Sequence, residues 1–329
     1  MDRRDFLKGT LLLPVVSAGS LAAPAWGQER WPTRNITMVV PFPPGGQADL
    51  AARPIAAALE KVLGQSVIVE NRGGAGGAIG NAAVAKADPD GHTILMTLSS
   101  LAVLPEADRL FGRAPSYEVS QLMPIARVLA DPTVLGVPAD APWKTLKEFV
   151  DDAKKRPGEI PYGSSGPYGT LHVSMEMFAN AAGIKLLHVP YRGAGPAVTG
   201  LLSGQIQALA SAPGVFKPHV DAGKVRILAN WGAERVPAFP DIPTFKELGY
   251  QDVEFYIWAG LFGPRGMPEP VVMRLRESMK QAMSSPEVRK TFENAGSPPA
   301  YQDAAEFAQF IEADSKRLIA AVQKIGKVE

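Results

Sequence analysis

From Asn35 to Asp49 the chain reads N-I-T-M-V-V-P-F-P-P-G-G-Q-A-D. Ile36 to Val40 are apolar or β-branched, a pattern that predicts a buried strand. Two prolines and two glycines then break the run, and A-A-R-P-I-A-A-A-L-E predicts a helix beginning near Asp49. Ser66 to Glu70 predicts a second strand, followed by the glycine-rich run Gly73 to Gly80 and a helix over Asn81 to Ala87. Pro89-Asp90-Gly91 turns into a third strand, His92 to Thr97. Strand, loop, helix and strand at this spacing is the rhythm of a largely parallel sheet covered by helices. Ligands of such sheets sit beyond the carboxyl ends of the strands, which puts the loops 41–46, 73–77 and 98–100 on one rim.

The rhythm recurs downstream. Ile125 to Val128 and Thr133 to Val137 read as strands flanking Asp131-Pro132, where the chain is expected to pass into a second lobe. Pro142 to Lys147 opens a helix that runs to Lys155, and a second glycine-rich loop, Tyr162 to Thr170, leads into a helix with Leu171, Met175, Phe178 and Ala182 at helical spacing. Strands are predicted over 186–189, 206–211 and 225–231, with a helix over 197–203. The aromatic, apolar run Phe255 to Pro264 reads as the return crossing, and two amphipathic helices, Glu269 to Ser284 and Ala304 to Lys324, finish the chain. The expected organisation is α/β and two-lobed: 28–130 with 259–329 in lobe one, 131–258 in lobe two, each a mixed sheet flanked by helices, with a ligand cleft between them.

Composition narrows the class. The chain has 329 residues, 46% hydrophobic and 20% charged, as in a soluble globular protein. Residues 1–27 fall outside the expected fold: Arg3-Arg4 followed by Phe6-Leu7-Lys8, a moderately apolar run and small residues resemble a twin-arginine export signal and imply a periplasmic location. That run is interrupted by Pro14, Ser17, Gly19 and Pro24, which argues against a membrane anchor. Removing it lowers the formal charge from +1 to 0. A neutral protein has no basic footprint for nucleic acid, and the lack of cysteine excludes disulfides and thiolate chemistry.

A strand that stops at a Pro/Gly turn and passes into a helix leaves free backbone N–H groups, which attract anions. The loops after Val40 and after Tyr162 share this architecture and are expected to pinch a small carboxylate from two sides. Asp49 reads as a helix N-cap that orders the first loop. The run 73–80 departs from G-x-G-x-x-G at Ile79, so a dinucleotide site is not expected. His92, His188 and His219 are scattered without ligand spacing, so neither a metal site nor another cofactor is expected. Trp258 and Tyr256 read as core, Arg192 as an exposed turn charge, and Lys144, Lys147, Lys154, Lys155 and Arg156 as a solvated helix face. Ser164 or Ser165 with His172 as base would make a serine hydrolase of a carboxylate ester, although no G-x-S-x-G elbow is present. A sensor that docks on a signalling receptor is a third reading.

The motifs V-V-P-F-P-P-G-G-x-x-D, V-E-N-R-x-G-A-G-G-x-I-G, A-x-P-D-G-H-T, G-S-S-G, H-V-P-Y-R-G, L-L-x-G-Q, P-D-I-P-T and W-A-G-L-F-G-P occur in this order along the mature chain. Together they resemble the substrate-binding proteins of tripartite tricarboxylate transporters, the Bug family. The resemblance implies a type II-like, two-lobed periplasmic binding protein, not an enzyme, without a cofactor. It implies a monomer that closes on an organic carboxylate, whether mono-, di- or tricarboxylate, and delivers it to membrane permease subunits. Carried over by motif, the ligand-binding residues are Phe42, Gly45, Gly46 and Asp49 in the first loop. Ser164, Ser165, Tyr168, Gly169, Thr170 and His172 follow in the second, with Ala75, Gly76, Gly77 and Ser99 completing the wall. The family's Gly-Ser/Thr is replaced by Tyr168-Gly169, and its Phe-Asp after L-L-x-G-Q by Ala210-Ser211. An aspartate at Ser211 would pair with a ligand ammonium, so its loss, with the added ring of Tyr168, implies a non-amino, aromatic or bulky carboxylate.

Overall fold

The chain alternates strands and helices: β1 (Ile36–Val40), α1 (Gln47–Leu63), β2 (Val67–Asn71), α2 (Ala78–Ala85), β3 (Thr93–Leu98), α3 (Ser100–Leu110) and β4 (Leu122–Pro132). Then come β5 (Val134–Pro138), α4 (Leu146–Lys155), β6 (Pro161–Ser164), α5 (Thr170–Ala182), β7 (Leu187–Pro190) and α6 (Ala194–Leu202). β8 (Ala208–Ser211), α7 (Pro213–Asp221), β9 (Val225–Asn230), β10 (Tyr256–Pro264), α8 (Glu269–Ser284), α9 (Pro286–Asn294) and α10 (Ala304–Ile325) complete it. The structure is a computed structural model that describes residues 31–327; the export signal expected over 1–27 lies outside the described residues. From Pro32 onward the chain forms one compact unit.

Two five-stranded sheets organise that unit, in the orders β2-β1-β3-β10-β4 and β7-β6-β8-β5-β9. Both are mixed. β1 is parallel to β2 and β3, whereas β10 runs antiparallel to β3 and β4. β6 is parallel to β7 and β8, whereas β5 runs antiparallel to β8 and β9. β1 is an interior strand, paired on both sides, and its apolar residues run without alternation: Ile36, Met38, Val39 and Val40 are all fully buried.

The core of the first sheet gathers Val39, Leu95, Leu101, Trp258, Phe262 and Phe307. Trp258 is part of this core, its ring edge-on to Phe307 and its Nε1 donating to Asp314 Oδ2 at 2.9 Å. The second sheet is packed by Phe178, Trp231 and Phe245, whose rings meet at 4.4–6.2 Å.

Where the chain leaves one sheet for the other, its segments bond to each other. Thr133 N donates to Phe255 O (3.2 Å), Trp231 N to Thr133 O (2.8 Å) and Phe255 N to Trp231 O (3.0 Å). These bonds lie between the end of β4 at Pro132 and the start of β5 at Val134 on one side, and just before β10 on the other.

Candidate functional site

The starts of α1 and α5 face one another across a small cavity of about 10 Å³, to which Phe42, Gly46, Gln47, Ser165, Thr170 and Ser211 contribute. That is room for about one water molecule. In the first turn of a helix the backbone N–H groups have no intrahelical partner, so both helix starts present donors and a positive dipole end to the same space.

The side chains on the wall have the same property. Ser165 Oγ, Thr170 Oγ1, Ser211 Oγ and Gln47 Oε1 are buried and have no hydrogen-bond partner among the described residues, and their residues are at most 3% exposed. Buried polar atoms are ordinarily paired, so four unpaired ones around one cavity mark it as built for polar groups. Leu98, Leu171 and Ile257 supply its apolar wall. Among the described residues no charged side chain lines it, so an anion bound there would be held by dipoles and hydroxyls.

The first loop is braced from behind. Asp49 Oδ2 accepts from Gly45 N (3.1 Å) and Arg53 Nε (3.0 Å), and Oδ1 accepts from Arg53 Nη2 (2.8 Å) and Asn71 Nδ2 (3.0 Å). Asn71 Nδ2 also donates to Phe42 O at 2.9 Å. Burial raises the Asp49 pKa, but the bonds from Arg53, Asn71 and Gly45 outweigh it and hold the carboxyl below its usual range. The N-cap of α1 is Gly46, which corrects the placement of Asp49: it stands in the first turn and orders the loop by bonding back to Gly45 and across to β2.

The second loop has its own support. Ser164 Oγ accepts from Gly166 N (3.1 Å) and lies 2.6 Å from His188 Nε2. His172 Nδ1 accepts from Tyr168 N at 3.2 Å, and its ring centroid is 4.4 Å from that of His188. Burial pushes His172 down to about 3 and His188 to about 4, so both are neutral at pH 7. The Ser/His172 pairing of a hydrolase is not formed: Ser164 meets His188, Ser165 Oγ is unpaired, and His172 is engaged by the loop backbone.

Of the residues expected at the ligand, Phe42, Gly46, Ser165, Thr170 and Ser211 line the cavity. Gly45, Asp49, Ser164, Gly169 and His172 stand behind it as loop supports; Gly169 is the N-cap of α5. Ser99 is fully buried beside Leu98 with an unpaired hydroxyl. Ala75 to Gly77 form a 3-10 turn behind Phe42 and are not among the lining residues; Gly76 O accepts from Ser100 Oγ at 3.0 Å, and Gly77 (φ 109) leaves room for the Phe42 ring, which a Cβ there would meet at 2.9 Å. Tyr168 adds no aromatic face to the cavity. Its backbone is left-handed (φ 57), its ring stacks on Phe111 at 5.1 Å and its hydroxyl donates to Gly326 O at 3.2 Å.

The sequence reading missed Gln47, Ala48, Leu171, Ala194 and Ile257 on the wall, and Asp131 behind Gln47. Gln47 carried a signal, as the only long polar side chain between Gly46 and Asp49; Ile257 and Asp131 had none, because they reach the site only through the pairing of β10 with β4.

Comparison with known proteins agrees with the fold. The family "Tripartite tricarboxylate transporter family receptor" matches residues 51–327. The periplasmic binding protein BugD superposes with a TM-score of 0.84 at 31% identity, covering 90% of this chain and 99% of its own. A Rhodopseudomonas palustris protein solved with adipate gives 0.84 at 30% identity, covering 90% and 98%. MatC of Rhodopseudomonas palustris, solved with bound malate, gives 0.82 at 30% identity, covering 89% and 100%. The chain belongs to the tripartite tricarboxylate transporter receptor family.

Proposed function

We propose that this protein is a periplasmic solute-binding protein that closes two lobes on a small organic carboxylate and presents it to the permease subunits of a tripartite tricarboxylate transporter. The observation that carries this reading is the cavity between the starts of α1 and α5, with four buried, unpartnered polar atoms on its wall. Helix starts and hydroxyls hold a carboxylate without a fixed positive charge. The solved relatives with adipate and malate support the ligand class, and BugD supports the compartment.

In this reading the lobes are 28–130 with 259–329, and 131–258, hinged where Thr133, Trp231 and Phe255 bond. The protein acts as a monomer, is exported through the Arg3-Arg4 signal and catalyses nothing. Ligand drives closure by the difference in its affinity for the closed and open states.

The test is a thermal-shift screen of the mature protein against aliphatic dicarboxylates, tricarboxylates, aromatic carboxylates and amino acids, with the ligand recovered afterwards. At ~100 times its dissociation constant a ligand adds about 2.7 kcal/mol of stability. A raised melting temperature with one carboxylate class, recovered unchanged, is the expected result. Consumption of the ligand would count against a binding protein.

A further inference from the structure

Among the polar atoms on the cavity wall, three belong to hydroxyls, which can donate or accept. The fourth, Gln47 Oε1, can only accept. Its direction is set from behind: Gln47 Nε2 donates to Asp131 Oδ2, 84 residues away in sequence, and both residues are 2% exposed. Because Asp131 Oδ2 accepts from Gln47 Nε2, the amide turns its NH₂ to Asp131 and leaves its oxygen, which has no partner among the described residues, for the cavity.

Resting on the carboxylate-binding reading above, we infer that the Asp131–Gln47 pair makes one corner of the cleft selective for a hydrogen-bond donor on the ligand, so that the preferred solute is a hydroxycarboxylate. The carboxylate oxygens are all acceptors and cannot satisfy Gln47 Oε1; a neighbouring hydroxyl on the ligand can. An ammonium group could also donate. It would bring a full charge into a cavity whose lining holds no acidic side chain, and an uncompensated buried charge is costly. A hydroxyl needs only the amide oxygen. Gln47 is then a specificity-determining residue that touches the ligand, and Asp131 a positioning residue that acts through it.

The test is calorimetric titration at pH 8 with matched pairs that differ by one hydroxyl: lactate and propionate, malate and succinate, 3-hydroxybutyrate and butyrate, citrate and tricarballylate. For at least one pair the hydroxylated member should bind about tenfold or more tightly, the scale of leaving one buried acceptor unpaired. Gln47→Leu should bring that ratio close to one while the member without the hydroxyl still binds. Asp131→Leu should also reduce the ratio, and Asp131→Asn should restore part of it, since its amide oxygen can still accept from Gln47 Nε2 while its NH₂ also permits the reversed amide. A merely structural role for Asp131 would lower both affinities together and leave the ratio unchanged. Binding of carboxylates with no preference in any pair, or a preference that survives Gln47→Leu, overturns this inference and leaves the function standing. Failure of every carboxylate to bind overturns both.

Discussion

Asp49 shows how an acidic residue serves an anion site that it never touches. Its four hydrogen bonds tie the first loop to α1 and β2, and its charge is met by Arg53 on the same helix at 2.8 Å. Asp49→Ala leaves Gly45 N and Asn71 Nδ2 without that acceptor. It should lower stability by about 1 to 3 kcal/mol, read by urea unfolding, and weaken carboxylate binding through the loosened loop. The pair His172 and His188 carries a pH dependence of defined sign. Both are lowered from 6.5, to about 3 and about 4, so below pH 6.5 the unfolded chain binds more protons than the folded one. Their contribution is complete above pH 6.5 and is lost as the pH falls from 6.5 through about 4 to about 3. Replacing His188 with Gln, which keeps a partner for Ser164 Oγ, should flatten that part of the stability profile; an unchanged slope between pH 6.5 and 4 would assign the effect elsewhere.

Secondary structure followed local pattern wherever pattern was strong. β1 and α8 have the bounds their sequence predicts, Ile36–Val40 and Glu269–Ser284. The Pro/Gly turns after β1 and β6 lead into α1 and α5 as expected, although α1 begins two residues before Asp49. Helices α3, α7 and α9 had no such signature. α3 contains Pro105 and α7 contains Pro218 in their interiors, residues that read as breaks. α3 survives because the carbonyl that Pro105 cannot serve has another donor: Tyr117 Oη bonds to Leu101 O at 2.7 Å and itself accepts from Asn81 Nδ2. Tyr117→Phe removes that compensation in a buried setting. It should cost about 1 to 3 kcal/mol, and hydrogen exchange of the amides of α3 should rise more than that of α1.

At the scale of the whole molecule, the two rims meet through small residues. A Cβ on Gly195, in the first turn of α6, would lie 2.4 Å from Pro44 O in the first loop. Gly195→Ala suits a helix locally but obstructs this approach. The ligand-free melting temperature should stay near the wild-type value while carboxylate affinity falls by about tenfold or more, the cost of a closed state that is harder to populate. Equal affinity in the variant would mean that binding does not require the two rims to meet.

The residues alone determined the order of the strands and of every helix but α3, α7 and α9, the two glycine-rich turns that lead into helices, and the family, because each is written in contiguous pattern: apolar runs, breakers and motifs in sequence order. Through the motifs of the resembled family they also picked out Phe42, Gly46, Ser165, Thr170 and Ser211. Tertiary structure alone decided which of the candidates share a cavity, that Tyr168 packs against Phe111 and not on the cavity wall, that Ser164 meets His188, and that Gln47 is oriented by Asp131. Periodicity encodes which face of a segment is buried; it carries nothing about which distant segment covers that face. Crossovers between two sheets and the antiparallel return of β10 set those long-range neighbours, so the chemistry of the site emerges only once the chain has closed on itself.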